Sequence, residues 1–339
     1  MAICSLLSVA LAACSFSTPD VALTVADKAI PSGLYLTYQL SNYQTAESEL
    51  RSQGQALKAN TPFQDTTAQQ HIQEQTVQSI GRYVWIQQEF EKQNLSLTQQ
   101  EQKTLDTSVT NAYAQMKKLL FENGIGENSY RTFFETEMMY SKLLDAYVKK
   151  QEPNITDDDV KKYLDENYVH IRQFTLPNTM ADGSALEESV RSEIDDMLTK
   201  ALEEIQKGAD FEATAEKYLK LASEKTKQTY DDTLKSSYLR TQYAPKKEQS
   251  FDSDFIKKAR NSELKKTAIF DLAPSRILYE RIPNDESKEE FEQIKSNAKT
   301  ELLSKQFDDQ IKEDVSKMNI DTTQAQKNFP FSRITTAQR

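Results

Sequence analysis

The stretch SKEEFEQIKSNAKTELLSKQFDDQIKEDV, residues 287–315, decides how this chain folds. Ser287 and Glu290 form the capping-box pattern that begins a helix. The helix then carries one apolar stripe over several turns, at Phe291, Ile294, Ala298, Leu302, Phe307, Ile311 and Val315. A stripe this long requires a partner surface. We predict that helices from the first half of the chain supply it, so that the middle of the chain is an insertion in one helical domain.

The N-terminal half predicts a short strand followed by four helices. Val21 to Ile30 reads as one strand or extended arm, because Leu23 and Val25 alternate with polar residues. Apolar residues at three- and four-residue spacing predict helices at about 34–58, 67–93, 98–122 and 128–150. Such an array forms its core by packing helix on helix, so the fold class is mainly α.

The fourth predicted helix is apolar on more than one face. A helix of this kind is normally buried in the middle of a bundle, and this interpretation is favoured. The alternative is that part of it lines a groove for unfolded polypeptide, since Met and aromatic side chains adapt their shape to varied partners. The client-binding candidates on this helix are Tyr130, Phe133, Phe134, Met138 and Tyr140.

A small α+β domain is predicted over residues 156–283. Pro153-Asn154 marks the boundary before it, so residues 21–155 form the N-terminal part of the helical domain. The patterns within it predict a strand–helix–helix–helix–strand–strand order, with a polar loop over residues 224–250. Residues 284–320 then supply the C-terminal helix, and residues 321–339 form a polar, frayed tail.

The N-terminus predicts lipid anchoring. A short apolar run ends in Leu11-Ala12-Ala13-Cys14, the pattern of a bacterial lipobox in which the cysteine is acylated and the chain is cut before it. Residues 1–13 are then the signal peptide and residues 14–20 a lipid tether on the outer face of the bacterial cell membrane. The alternative is a frayed apolar N-terminus. A spanning helix is the poorest interpretation, because it needs about 20 apolar residues.

Composition narrows the possible functions. The cysteines are Cys4 and Cys14, and the histidines are His71 and His170, so neither a zinc knuckle nor a His-based metal site is expected. The net charge of −10 disfavours a nucleic-acid partner. The chain has 7 glycines, too few for a dinucleotide fold or a P-loop. No cofactor is implied.

Four motifs resemble one known family. They are Val25-Ala-Asp-Lys-Ala-Ile30, Leu95-Ser-Leu-Thr-Gln-Gln-Glu101, Ile155 to Tyr168, and Lys207 to Tyr218. In order and spacing they are similar to the parvulin-type foldase lipoproteins and periplasmic chaperones of the PrsA/SurA group. The resemblance covers nearly everything from Cys14 to about Ile320. It implies a secretion foldase whose helical chaperone domain flanks an inserted peptidyl-prolyl isomerase domain.

The catalytic residues of that family are replaced here. The positions that match its two histidines are Gln173 and Arg276, and the Gly-rich loop has no counterpart in residues 224–250. His170 lies three residues from Gln173, and therefore on the other side of a strand. Phe251 and Phe255 match the family's proline pocket. A pocket without polar groups around the twisted amide binds proline without selecting the transition state, so we expect a weak or inactive isomerase.

The predicted function is a lipid-anchored chaperone that binds unfolded or nascent exported polypeptides. An active peptidyl-prolyl isomerase is the alternative from the enzyme class. A solute-binding lipoprotein is a third, but it requires two α/β lobes with Gly-rich loops that this chain lacks. The sequence leaves open whether the molecule forms a homodimer.

Overall fold

The computed structural model describes residues 19–247 and 252–334. The chain divides into two compact units. One takes in the residues up to Lys150 and those from Ser304 onward, and the other is Gln151–Leu303. The predictions for the signal segment, Cys14 and Phe251 concern residues outside the described part.

Helices dominate the described chain, which confirms the mainly α fold class. In chain order the elements are β1 (Val21–Val25), β2 (Lys28–Pro31), α1 (Ser32–Ser52), β3 (Pro62–Phe63), β4 (Thr66–Thr67), α2 (Ala68–Lys92), α3 (Gln99–Glu122), α4 (Glu127–Gln151), α5 (Asp157–Asn167), β5 (Tyr168–Phe174), α6 (Glu188–Gln206), α7 (Phe211–Thr226), α8 (Asp232–Tyr238), β6 (Leu239–Pro245), α9 (Asp254–Arg260), β7 (Thr267–Leu272), β8 (Ser275–Ile282), α10 (Lys288–Ser316), β9 (Ile320–Asp321) and α11 (Thr323–Asn328).

The segment predicted as one strand over residues 21–30 is a hairpin. Ala26 and Asp27 have φ angles of 46° and 65°, and this left-handed pair reverses the chain between β1 and β2. Strand β1 also pairs with β9, which lies in the segment predicted to be frayed. Phe329 beyond it is 0 % exposed, and its ring centroid lies 5.0 Å from that of Tyr35. The tail is therefore ordered in the core as far as the described residues extend.

The helical unit has its main core around α1, α2 and the β1–β2 hairpin. Ile80 and Val84 of α2 meet Leu34 and Tyr35 of α1 there. A neighbouring cluster joins the end of α2 to the last turns of α10, through Trp85, Phe307 and other buried side chains. Two segments far apart in the described chain therefore build this unit.

The α10 stripe serves two cores. Its first part, at Phe291 and Ala298, packs with Val160 and Leu164 of α5 inside the second unit. Its last part belongs to the helical unit. The predicted boundary at residue 284 is therefore too early, and the division falls between Leu303 and Ser304. A continuous stripe has the same period in both halves, so the sequence pattern contains no signal for this division.

The second unit is an α+β fold around a four-stranded antiparallel sheet in the order β6-β5-β8-β7. Helices α6 and α7 pack on one face, against Phe174 and Leu278. Helix α9 packs on the other face, against Ile171 and Tyr279. Strand β6 lies within the predicted loop over residues 224–250. It is an edge strand of mostly half-exposed residues, so it lacks the apolar alternation that indicates a strand.

Candidate functional site

The first candidate site is the sheet face beneath α9. Gln173 of β5 and Tyr279 of β8 are direct cross-strand partners, so both side chains lie on this face. Gln242 of β6 lies beside them, and its Nε2 donates to Oε1 of Gln173 over 3.1 Å. The polar groups that face each other here are therefore two amides and a phenol.

Phe255 closes this face with its own ring. Helix α9 begins after Ser253, whose hydroxyl accepts a hydrogen bond from the backbone N–H of Ile256. The first turn directs Phe255 onto the sheet, where it is 4 % exposed. Its ring centroid lies 5.4 Å from that of Tyr279, nearly perpendicular to it, and 5.7 Å from that of Phe270. Phe255 thus packs against aromatic side chains of the same unit, while Phe251, the other residue of the predicted proline pocket, lies outside the described residues.

Arg276, the other candidate position, does not lie on this face of the sheet. It lies three residues before Tyr279, and an odd offset along a strand places a side chain on the opposite face. Its Nε donates to Oδ1 of Asp271 over 2.8 Å, and the backbone carbonyl of Asp195 and the hydroxyl of Thr199, both in α6, lie 3.4 Å from its Nη1. The residue that faces Gln173 is Tyr279.

The face beneath α9 has little capacity for acid–base chemistry. Tyr279 is 1 % exposed, and burial raises the pKa of its phenol, so it stays neutral at ordinary pH. Gln173 carries no charge. His170 points to the opposite side, as its odd offset from Gln173 predicts.

The second candidate site is the apolar surface of α4. Tyr130 is buried, whereas Phe133, Phe134 and Met138 are half-buried. Ring centroids lie 5.1 Å apart for Tyr38–Phe133, 5.0 Å for Tyr130–Phe134 and 5.8 Å for Phe133–Phe134. These candidates form part of the core of the helical unit, and several keep one side accessible. The buried side of this helix agrees with the favoured interpretation, and binding of unfolded polypeptide by its half-buried side stays a prediction.

Two grooves open on the surface of the helical unit. Met138 lines the first, of 600 Å³, whose other walls include the ion pair between Lys142 Nζ and Glu101 Oε2 at 2.7 Å. That lysine and the N-cap residue Thr98 lower the pKa of Glu101 to about 2. This groove is thus lined by fixed charges as well as by an apolar side chain.

The second groove runs between α2 and the end of α10 and encloses 540 Å³. Its lining is mainly apolar, with amide and hydroxyl groups along α2 and charged groups at the rim. The lining residues are Gln75, Val77, Gln78, Ser79, Arg82, Asp308, Ile311, Lys312, Val315, Ser316, Met318 and Ile320. We call it the α2–α10 groove. No sequence pattern indicates it, because it depends on the spacing of two helices far apart in the chain.

Tyr140 of α4 fixes one end of the α2–α10 groove. Its hydroxyl donates to Oδ1 of Asp308 over 2.8 Å, and the guanidinium of Arg82 lies over its ring at 4.1 Å. Arg82 also pairs with Glu137 over 3.0 Å. Burial, and then the Asp308 carboxylate, raise the pKa of Tyr140 to about 12. Tyr140, one of the predicted client-binding residues, therefore orients the side chains of Arg82 and Asp308, which line the groove, and does not line the groove itself.

Within residues 19–247 and 252–334, no group of three or more His, Cys, Asp or Glu side chains is placed to hold a metal ion. No helix in that part of the chain combines the length and the apolar character needed to cross a membrane.

Comparison with known proteins gives similar solved structures and no sequence match. No family profile matches the chain, and no curated protein does. PrsA from Bacillus subtilis is 15 % identical, covers 77 % of this chain and 90 % of its own, and has a TM-score of 0.28. Foldase protein PrsA from Streptococcus pneumoniae is 20 % identical, covers 75 % and 89 %, and has a TM-score of 0.28.

A third similar structure is foldase protein PrsA from Lactococcus lactis. It is 14 % identical, covers 94 % of this chain and 100 % of its own, and has a TM-score of 0.29. The similar structures thus carry the name of the group that the sequence motifs resemble. Because identities and TM-scores are low, the function proposed below rests on this chain's own residues.

Proposed function

We propose that this protein is a chaperone of exported polypeptides, held at the outer face of the membrane by a lipid on Cys14, and that its α+β unit is a weak or inactive isomerase. Unfolded polypeptides are its binding partners. The observation that carries the proposal is the α2–α10 groove, an open and mainly apolar surface, at one end of which Tyr140 of α4 binds Asp308.

The groove suits extended chains of varied sequence. Its apolar wall, with Val77, Ile311 and Met318, can cover the side chains that a folded protein would bury. The amides of Gln75 and Gln78 offer both donors and acceptors to a peptide backbone. Met318 is half-buried, and its flexible thioether adapts to different partners. This combination favours low selectivity, as a chaperone requires.

The sheet face beneath α9 supports the weak-isomerase part. Rotation about an X-Pro bond crosses a barrier of about 18–20 kcal/mol. Lowering it requires polar groups that bind the twisted amide better than the planar one. Gln173 is already hydrogen-bonded to Gln242, and Phe255 and Tyr279 pack on each other. Among the described residues, the polar groups on this face are therefore amides and a phenol and not paired imidazoles.

Suppression of aggregation tests the chaperone function. The full chain is mixed with an unfolding secreted protein at near-stoichiometric amounts, and light scattering is recorded. We expect suppression by the wild type and a several-fold weaker effect for Val77→Gln, which places an amide on the groove wall. Leu221→Gln is the matched control, because Leu221 is 41 % exposed on a helix of the other unit. Failure of the wild type across several clients would contradict the proposal.

A proline isomerisation assay on tetrapeptides tests the enzyme alternative. We expect the wild type to give a rate near background. An accelerated rate that Phe255→Ala removes and Gln173→Ala weakens would instead establish the isomerase. Anchoring is tested separately, by comparing membrane retention and lipid labelling of the wild type with those of Cys14→Ala.

A further inference from the structure

Phe121 is the most exposed large apolar side chain among the described residues. It lies in the last turn of α3 and is 80 % exposed, whereas the other large apolar side chains at the surface reach 53 %. In the described part of the helical unit, the exposed members of this group are Phe121 and Val21, and the remaining ones lie in the α+β unit. Neither candidate site uses these two residues.

A series of direct contacts joins Phe121 to Pro19, where the described part of the chain begins. The amide of Gly124 donates to the carbonyl of Phe121 over 3.0 Å. A Cβ added at Gly33 would lie 3.9 Å from the carbonyl oxygen of Gly124, so the turn after α3 packs against the start of α1. The hydroxyl of Ser32, the residue before Gly33, donates to the carbonyl of Pro19. Phe121 and Pro19 therefore lie at the same end of the helical unit.

Val21 lies at this end as well. Its partner in the ladder between β1 and β2 is Pro31, the residue before α1. The amide of Ser32 donates to the carbonyl of Asp20 over 3.0 Å. Within the described residues, the exposed large apolar side chains of the helical unit are thus found at the end from which the chain leads to Cys14. We call this end, made up of residues 19–21 and 117–127, the tether end.

The tether is short. This step rests on the proposed anchoring through Cys14, which lies five residues before Pro19. A fully extended chain covers about 3.3–3.6 Å per residue, so the lipid-bearing residue lies within about 18 Å of Pro19. A contact between the tether end and the bilayer then becomes an intramolecular event with a high effective concentration. Under that condition one aromatic ring suffices for a contact that it could not maintain in a free protein.

The charged groups at the tether end are compatible with a lipid surface. Lys117 and Lys118 lie one helical turn before the exposed ring and therefore on the same side of α3. Both side chains are exposed, and Nζ of Lys118 lies 3.8 Å from Oε1 of Glu122. Lysine stems lie along apolar surface while their ammonium groups reach lipid phosphates. Because Glu122, Glu127 and Asp20 offset this positive charge, the ring must supply most of the attraction.

We infer that the tether end is a membrane-contact surface, in which the ring of Phe121 enters the boundary between lipid headgroups and acyl chains and Lys117 and Lys118 reach the phosphates. The lipid on Cys14 fixes one point of the helical unit, and the ring fixes a second. Two points of attachment limit rotation of the unit about its tether. The α2–α10 groove, which belongs to the same unit, then keeps one orientation to the membrane.

The test supplies the tether chemically, so that it does not depend on acylation in the cell. In the full chain with Cys4→Ser, Cys14 is the single thiol, and it couples to a maleimide lipid in vesicles of phosphatidylcholine and phosphatidylglycerol. Phe121→Trp then places a tryptophan at the tether end. Lipids with brominated acyl chains quench the emission of a tryptophan that enters the bilayer.

Glu49→Trp is the matched control. Glu49 is exposed on α1, 16 residues after Gly33, and therefore about 24 Å from it along the helix. Trp85 is 7 % exposed and gives both variants the same background emission. We expect the added emission of Phe121→Trp to be quenched several-fold more than that of Glu49→Trp.

Hydrogen exchange tests the native ring. The amides of Gly124 and Gln53 both close a turn at a helix end, where they donate to Phe121 over 3.0 Å and to Leu50 over 3.1 Å. Coupling to vesicles should slow exchange at Gly124 several-fold and leave Gln53, at the far end of α1, unchanged. The slowing at Gly124 should disappear in Phe121→Ser. Because Phe121 is exposed, this substitution leaves the core of the unit intact.

The outcomes distinguish this surface from the anchor. Equal quenching at positions 121 and 49 would overturn the inference, and so would exchange at Gly124 that coupling leaves unchanged. Neither result depends on whether the cell acylates Cys14, which the membrane retention of Cys14→Ala tests separately.

Discussion

Gly81 of α2 lies directly against Val315 near the end of α10. A Cβ added at this position would lie 2.4 Å from Cγ1 of Val315 and 3.4 Å from Cδ1 of Ile320. Favourable carbon–carbon contacts lie at about 3.5–4.0 Å, so Gly81→Ala creates an overlap of about 1 Å with Val315. Val315 is β-branched and strongly prefers one rotamer in a helix, so it cannot readily turn aside.

The expected free-energy changes have opposite signs. Overpacking costs about 1–3 kcal/mol, whereas alanine is about 1 kcal/mol better than glycine within a helix. Gly81→Ala should therefore destabilise the helical unit by up to about 2 kcal/mol. In a Val315→Ala background the obstructing methyl is absent, and the same substitution should stabilise the unit by up to about 1 kcal/mol. The expected coupling energy of the pair is about 1–3 kcal/mol.

Urea unfolding followed by tryptophan fluorescence measures this cycle. Trp85 is the one tryptophan of the chain and lies one turn after Gly81. Its Nε1 donates to Asp314 over 3.1 Å, and its ring meets that of Phe307 edge-on at 5.7 Å. The signal therefore reports on the helical unit and not on the α+β unit. Additivity of the two substitutions to within about 0.5 kcal/mol would refute the close approach.

Three further predictions concern separate parts of the molecule. Phe307→Ala should cost about 3–5 kcal/mol, because it empties a buried aromatic site, and should shift the emission of the single tryptophan to the red in the native state. Glu101→Gln should reduce the loss of folding stability between pH 4.5 and 2. The folded-state pKa of Glu101 is lowered to about 2, so the stability that its carboxylate contributes is lost as the pH falls toward that value. Acid titrations followed by circular dichroism measure this loss. Gln173→His combined with Tyr279→His should bind proline tetrapeptides no better than the wild type, which calorimetry would show, because Phe255 packs over position 279 and is 4 % exposed.

The start of a helix was predictable from sequence where a local side-chain pattern, such as a capping box, determines it. The capping box at Thr98 and Glu101 is formed by both hydrogen bonds, and α3 begins at the next residue, Gln99. The hairpin at Ala26 and Asp27 was missed because two residues in the left-handed region interrupt a segment whose alternation resembles one strand.

Registers and pairings were harder to predict. Ile277, Leu278 and Tyr279 are all apolar in character, so the run does not show which of its residues face α9. The homology of motifs therefore placed the second catalytic position on Arg276, whereas the pairing with β5 places Tyr279 opposite Gln173. The α2–α10 groove depends on tertiary spacing alone: its accessible surface is mainly apolar, although seven of its twelve lining residues are polar.

The cross-strand pair of Gln173 and Tyr279 has a consequence for how foldases are recognised. The backbone presents these two positions side by side, as a pair of imidazoles would need, yet the groups presented there are an amide and a buried phenol. Because activity depends on the side chains of a site and not on the fold that carries it, an assignment of activity from architecture alone would leave these two side chains out of account.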